Sequence, residues 1–290
     1  MALIDTLGAA AAVPISGSDL RLDFSLLAPS DHSPFEGGGP TAPDRANPRV
    51  SCLMVTTGRR AVIRHSLECY RRQAYENREL VVVTQPDGLQ AVSDFVADSG
   101  AANVAIHCVG PEMTLGDCRN VSIARSRGEM LMHWDDDDLY DPLRITAAVA
   151  LLSQSRAAAA LLARVLIWWP RRRIAAISKR RLWEGTITVL REYAPAYPSL
   201  AKGEDTPPVS ALARTRPIAT YDFPLLYVYT VHAGNTWDTR HFEEMFEKAE
   251  CVIQDEDYVE LIHLLSARMP VLEYEADAAR AEAGGRPPWL

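Results

Sequence analysis

A chain of 290 residues, 48% hydrophobic and 23% charged, has the make-up of a globular protein with room for one large core or two small ones. A net charge of -8 argues against a general nucleic-acid binder, whose footprint is basic. The five cysteines (Cys52, Cys69, Cys108, Cys118, Cys251) are odd in number and form no CxxC pair, so they suggest neither a disulfide framework nor a zinc site, and a reducing cytoplasm suits them.

In chain order, residues 1–47 are rich in Ala, Ser, Gly and Pro, with breaker clusters at Ser30–Pro34 and Gly37–Pro40. They read as a flexible arm. The start, Met1 to Ile15, has no basic n-region and is interrupted by Asp5, so no targeting segment is expected. From Val50 the pattern becomes regular. Val50–Thr56 is a buried strand ending in the loop Thr57-Gly58-Arg59-Arg60, and a helix follows with Val62, Ile63, Leu67 and Tyr70 on one face. Glu79–Val83 is a second strand, running into the loop Thr84–Gly88. Leu89–Ala97 is a helix, Val104–Val109 a third strand, Asp117–Ser126 a helix opened by Gly116, and Glu129–Trp134 a fourth strand. This alternation predicts parallel strands with crossover helices, the first half of a doubly wound sheet, with Thr57, Thr84 and Asp135 along one edge.

The fourth strand runs straight into Asp135-Asp136-Asp137-Asp138. Adjacent carboxylates repel, and burying them unpaired costs several kcal/mol each. A hard divalent cation is the simplest partner. A solvated acidic turn is the alternative, but a buried strand delivering carboxylates at its C-terminal end matches where open α/β sheets bind ligands. An EF-hand is excluded, because the glycine and glutamate that its loop needs at positions 6 and 12 are missing.

Beyond this point the pattern is less regular. Ile145–Leu162 is alanine-rich and reads as a helix. Val165–Trp169 and Ile174–Ser178 are predicted to pair across Pro170–Arg172, and Trp183–Thr186 to begin a further strand. The run Ala157–Trp169 is broken by Arg164 and is too short to span a bilayer. Arg171-Arg172-Arg173 and Lys179-Arg180-Arg181 leave peripheral membrane contact open beside the plainer reading of a solvated basic face. Leu225–Val231 reads as a strand leading to His232, His241–Lys248 and Tyr258–Ala267 as helices, and residues 271–290 as a tail.

Over residues 49–250 the chain resembles an inverting family 2 glycosyltransferase with a GT-A fold, a mixed but mainly parallel sheet flanked by helices. Four features in order carry the resemblance: Val50–Arg59, Gly116–Asn120 with Arg127-Gly128-Glu129, Trp134–Asp138 as a DxD-type motif, and Gly203-Glu204-Asp205. The resemblance implies a sugar moved from a nucleotide-diphosphate donor, UDP favoured, to an unknown hydroxyl acceptor (a glycan, a lipid-linked molecule or a small molecule). It implies Mg²⁺ or Mn²⁺ on Asp137, with Asp135 and His232 beside it. It also implies Asp205 as general base with Glu204 orienting it, although Glu204-Asp205 alone reads as an exposed turn. Thr56, Arg59, Asp87, Asp117, Arg119, Asn120, Asp135 and Asp136 are the implied nucleotide-sugar contacts. Asp87 stands in for the family's base-reading aspartate. Trp183 and Glu184 are candidates for holding the acceptor, with plain core as the other reading of Trp183, and a backbone-bonded loop histidine is the other reading of His232. The alternatives are a sugar-phosphate nucleotidyltransferase, whose glycine-rich, lysine-containing loop is missing after the first strand, and a non-catalytic binding module of the same fold.

Overall fold

The structure, a computed structural model, describes residues 24–28, 47–58 and 60–283. Part of the expected arm is ordered: β1 (Phe24–Leu27) pairs antiparallel with β11 (Ile218–Tyr221) at one edge of the large sheet. The expected core strand Val50–Thr56 forms as β2, and Arg78–Thr84 (β3) and Val104–Cys108 (β4) lie parallel beside it. The first helix, α1 (Arg60–Arg71), buries the predicted stripe of Val62, Ile63, Leu67 and Tyr70.

The second helix, α2 (Pro86–Ser99), begins three residues before the expected Leu89. Pro86 takes its first turn, where a missing N–H costs nothing, and Gly100 closes it at φ 64°. Asp87 therefore sits in a helical first turn rather than in a loop. The third helix, α3 (Leu115–Arg125), starts in a capping box: the Thr114 side chain accepts from the Asp117 N–H, and Asp117 accepts from the Thr114 N–H. It leads to β5 (Met130–His133), which returns to pair parallel with β2 on the side away from β3. The chain thus runs outward through β2, β3 and β4 and then jumps back. The crevice between the C-terminal ends of β2 and β5 is the topological switch point of the sheet.

After the aspartates, β6 (Leu139–Tyr140) and α4 (Arg144–Gln154) follow. The alanine-rich helix expected to reach Leu162 stops at Gln154. Ala159–Leu162 is instead a buried strand, β7, parallel to β11. Alanine favours helices locally, but in a site enclosed on both faces of a sheet tertiary packing decides. β8 (Leu166–Trp169) and β9 (Ile174–Ile177) form the expected hairpin. Trp183–Thr186 does not begin a strand. Glu184–Thr186 is a 3₁₀ turn, and the strand after it is β10 (Thr188–Leu190), antiparallel to β5 and β7. Then come α5 (Thr206–Thr215), β12 (Tyr227–Thr230), α6 (Thr239–Glu247), β13 (Cys251–Ile253) and α7 (Asp255–Ser266).

Residues beyond 270, expected as tail, continue into α8 (Val271–Ala283), which buries Val271 and Tyr274 and packs on α1. The large sheet has the order β1-β11-β7-β10-β5-β2-β3-β4, and the small one β13-β9-β8-β12-β6. Because β5 belongs to the large sheet and β6 to the small one, the aspartate run is the bridge between them. All five cysteines are free thiols. Among the described residues no helix is long and apolar enough to cross a membrane.

Candidate active site

A cleft of about 390 Å³ opens at the switch point. Thr56 and Thr57 from the end of β2, Thr84 and Gln85 from the end of β3, all four aspartates, and Lys202 to Asp205 line it. The strand ends expected along one edge are therefore together.

The aspartates are held from below. Trp134 is fully buried, stacked on Tyr140 at 4.0 Å between ring centroids, and its indole N–H donates to Ser66 Oγ at 3.0 Å. Ser66 in turn donates to the Asp135 carbonyl at 2.8 Å, and the Asp135 N–H donates to the Tyr140 hydroxyl at 2.7 Å. The backbone that carries the first carboxylate is thus clamped by α1 and β6. Thr56 Oγ1 donates to Asp136 Oδ2 at 2.5 Å, tying β2 to the motif across the switch point. Asp138 turns away and is buried: the Tyr227 hydroxyl donates to one oxygen and the Thr230 N–H to the other at 2.8 Å. Burial, then the charges of Asp137 and Asp135, push the Asp138 carboxyl well above the ordinary carboxylate range. Asp138 therefore ties the motif to β12, and Asp135 and Asp137 remain as its two half-exposed carboxylates.

Arg119 is buried between two of these acids. Its Nε donates to Glu204 Oε1 at 2.6 Å and its Nη2 to Asp135 Oδ1 at 3.2 Å. Burial alone would raise the Asp135 pKa, but the nearby charges of His133 and Arg119 hold it well below the usual range. One guanidinium so couples the strand-end motif to the loop that carries Asp205. Glu204 is consumed by that pair. Asp205 is half-exposed, lines the cleft at the start of α5, and its side chain makes no cap to the helix.

The loop before Asp205 is fixed by residues expected to touch the nucleotide. Asn120 exchanges two hydrogen bonds with the Tyr197 backbone, at 2.8 and 2.9 Å. Asp117 accepts from Ser199 Oγ at 2.6 Å beyond its capping role. The Gly116 N–H donates to the Leu200 carbonyl at 3.0 Å, and a Cβ on Gly116 would lie 1.8 Å from the Pro198 carbonyl oxygen. Asp117 and Asn120 thus position the loop that leads to Asp205 and do not line the cleft. Asp87 does not line it either. Arg59 lies outside the described residues.

His232 accepts from the Gly234 N–H at Nδ1, 3.0 Å, and its Nε2 faces Asp137 Oδ2 at 3.2 Å. The Asn235 amide nitrogen lies 3.2 Å from the same Nε2, so the ring bridges Asp137 to the loop that follows β12. Among the described residues no three acidic, histidine or cysteine groups converge into a closed metal site. Trp183 is buried outside the cleft, with Arg181 over its ring at 4.1 Å, and Glu184 pairs with Arg181 at 3.1 Å.

The sequence reading missed Gln85. Its amide nitrogen donates to the carbonyls of Pro111 and Met113, both at 3.1 Å, so its orientation is fixed and its oxygen is left as the acceptor. Both carbonyls are remote in sequence, which hides the arrangement from a reading of neighbours.

With this geometry in view, the family described as Glycosyl transferase family 2 matches residues 51–199, which span the switch-point strands, the aspartates and the loop up to Ser199. The chain belongs to glycosyl transferase family 2. No curated protein matches it in sequence. Solved structures do. The match to S. aureus TarS 1-349 in complex with UDP-GlcNAc has TM-score 0.55 and 16% identity, over 81% of this chain and 71% of that one. A further TarS 1-349 structure matches at TM-score 0.51 and 16% identity, over 63% of this chain and 60% of that one, so the protein spans less than two thirds of it. The mannosyltransferase PcManGT from Pyrobaculum calidifontis, in complex with GDP-Man and Mn²⁺, matches at TM-score 0.50 and 17% identity, over 87% of this chain and 81% of that one. At these identities the likeness is one of fold, and the fold is GT-A.

Proposed function

We propose that this glycosyltransferase moves a sugar from a nucleoside diphosphate to an acceptor hydroxyl with inversion. The observation that carries the reading is the convergence of Asp135, Asp137 and Asp205 on one cleft at the switch point. Two neighbours of the same fold are recorded with UDP-GlcNAc and with GDP-Man and Mn²⁺, which supports the same donor chemistry.

A divalent cation fits the residues present. Hard cations take carboxylate oxygens, and Mg²⁺ is held by one or two carboxylates with substrate phosphates completing the shell. Asp137 and Asp135 supply such a pair. Bound there, the cation would neutralise charge gathering on the leaving diphosphate. The protein's own residues do the rest. His232 orients Asp137, Arg119 holds Asp135 against Glu204, and Asp205 takes the proton of the attacking hydroxyl.

The nucleoside end has a place too. β5, β2 and β3 are adjacent, and neighbouring strands are about 4.8 Å apart, so Gln85 lies roughly 10 Å along the sheet edge from the aspartates. That is the span from a diphosphate to its base. The Gln85 oxygen, with its amide N–H groups already used, is placed to accept from a base N–H, whether the ring N–H of uracil, thymine or guanine or the exocyclic amino group of cytosine or adenine. UDP remains the first choice.

The test is a thermal-shift series of UDP, GDP, dTDP, CDP and ADP, each with Mn²⁺ and with chelator. At 100 times its dissociation constant a ligand adds about 2.7 kcal/mol of stability. UDP with Mn²⁺ should show that shift, chelator and Asp137→Ala should abolish it, and Gln85→Leu, which removes the acceptor oxygen, should weaken it. Equal shifts in metal and chelator would refute the metal site, and a UDP shift unchanged in Gln85→Leu would refute the Gln85 reading.

A further inference from the structure

Next to the cleft, across the Trp237–His241 and Trp183–Tyr229 contacts, lies a second recess of about 140 Å³. Lys179, Arg181 and Lys248 line it with His241, Trp183 and one acid, Glu244. In a chain of net charge -8 such an excess of cations is a local feature, not a reflection of composition. The recess shares its walls with the cleft. Trp237, which lines the cleft, stacks on His241 at 4.5 Å between ring centroids, and Lys202 Nζ sits 3.8 Å from the centre of the Trp237 ring. Trp183 meets Tyr229, another lining residue of the cleft, at 6.4 Å. Cations therefore continue from Lys202 in the cleft, past the aromatic wall, to Arg181, Lys179 and Lys248. The His241 imidazole responds to both ends: burial, then the charge of Arg181, and with them Lys202, hold it below its ordinary value against Asp238 and Glu244.

The charges are only partly used within the protein. Arg181 pairs with Glu184 at 3.1 Å, and Lys248 with Glu244 at 3.3 Å, where Arg240 also reaches Glu244 at 3.4 Å. The two Glu244 pairs are exposed, weak in water and open to exchange for a better anion, and Arg181 is the exposed end of its pair with a partly buried Glu184. The nucleotide extends the other way, toward Gln85. An acceptor whose hydroxyl sits on Asp205 therefore has its remainder on the side of Tyr229, Trp183 and the recess.

We propose that this recess binds a phosphate group carried by the acceptor, so that the enzyme glycosylates a phosphorylated molecule. The proposal rests on the glycosyltransferase reading above. Phosphate suits the site better than a neutral sugar: it presents several acceptor oxygens to Lys and Arg donors converging from β9's end and from α6, and the aromatic wall excludes water on one side. The same chemistry is offered by a soluble sugar or polyol phosphate and by a phospholipid headgroup.

The full chain, saturated with UDP and Mn²⁺, is titrated with glycerol 3-phosphate, with glycerol as the neutral control, and separately with phosphatidylglycerol vesicles against phosphatidylcholine vesicles. At least one phosphate probe should bind while its neutral counterpart does not, and the responding probe identifies a soluble or a lipid source. Lys179→Gln and Lys248→Gln should each weaken that binding about tenfold, the scale of a charge-assisted hydrogen bond. UDP affinity should stay as in the unmutated chain, which also shows that the variants are folded. Failure of both phosphate probes in a chain that still binds UDP, or equal binding by unmutated chain and variants, would overturn the phosphate site and leave the donor reading standing. Failure of UDP itself would count against the donor reading instead.

Discussion

Asp205 is the residue on which the proposed chemistry turns, and its local setting supports that role. Glu204 beside it is locked into the Arg119 pair, so of the two acids on this loop Asp205 is the one that offers its carboxylate to the cleft. Asp205→Asn keeps the size but cannot take a proton, and loss of a general base costs roughly 10² to 10⁴ in rate. The loss should appear in turnover and not in nucleotide affinity, since the donor contacts lie elsewhere. Glu204→Gln keeps a hydrogen-bonding partner for Arg119 and should cost less. Transfer rate and UDP affinity of both variants, with product configuration by proton NMR, check this. Near-normal turnover in Asp205→Asn, or a retained configuration, would remove Asp205 from the role. In the sequence Glu204-Asp205 is an ordinary acidic turn. Only the order of motifs marked it, and only the folded structure separates the buried acid from the free one. Asp117 and Asn120 were legible as important but not as supports of the loop, because Ser199 and Tyr197 are about eighty residues away.

Among the elements, the parallel half was readable because its strands are apolar on both faces and its helices apolar on one. The second half misled where local preference and tertiary placement disagree, as in Ala159–Leu162, or where a strand is as short as β10. β1 was hidden for another reason. Its described side chains are exposed, so no apolar period announces it, and its order comes from backbone pairing with β11. Deleting residues 1–47 should therefore leave a folded protein. Backbone hydrogen bonds contribute about 0.5–1.5 kcal/mol each net, so the loss of a four-residue strand is modest. A melting temperature lower by about 3–8 °C is expected for a chain of this size. The uncovered β11 edge should also promote concentration-dependent association, measurable by light scattering. An unfolded or insoluble product would mean that the arm supplies core.

At the scale of the whole molecule, α8 closes back on α1, and so reaches the aspartate motif through it. Asp277 on α8 accepts from Arg64 at 2.8 Å and lies 3.1 Å from His65 Nε2, while Tyr274 packs on the His65 ring. The next residue, Ser66, is the one that holds the Asp135 carbonyl. Truncation after residue 270 removes the burial of Val271 and Tyr274, worth about 1.5–3 kcal/mol for each apolar side chain, and leaves His65 uncovered. The same contact gives the protein a pH signature. Burial pushes His65 below its ordinary value, and Arg64 adds to this, against Asp277 and Glu273, which pull it up. The unfolded chain therefore binds a proton before the folded one as pH falls through about 6.5. The stabilising contribution is present above that value and is lost as pH drops toward the lowered folded-state value. Urea unfolding from pH 7.5 to 5 should show a steeper loss of stability in the unmutated chain than in His65→Gln, which keeps a hydrogen-bond donor toward Asp277 but does not titrate. Chains truncated after residue 270, with the imidazole no longer enclosed, should lose that difference. Parallel pH profiles for the full-length chain and His65→Gln would refute the assignment and leave the acid sensitivity to the buried carboxylates.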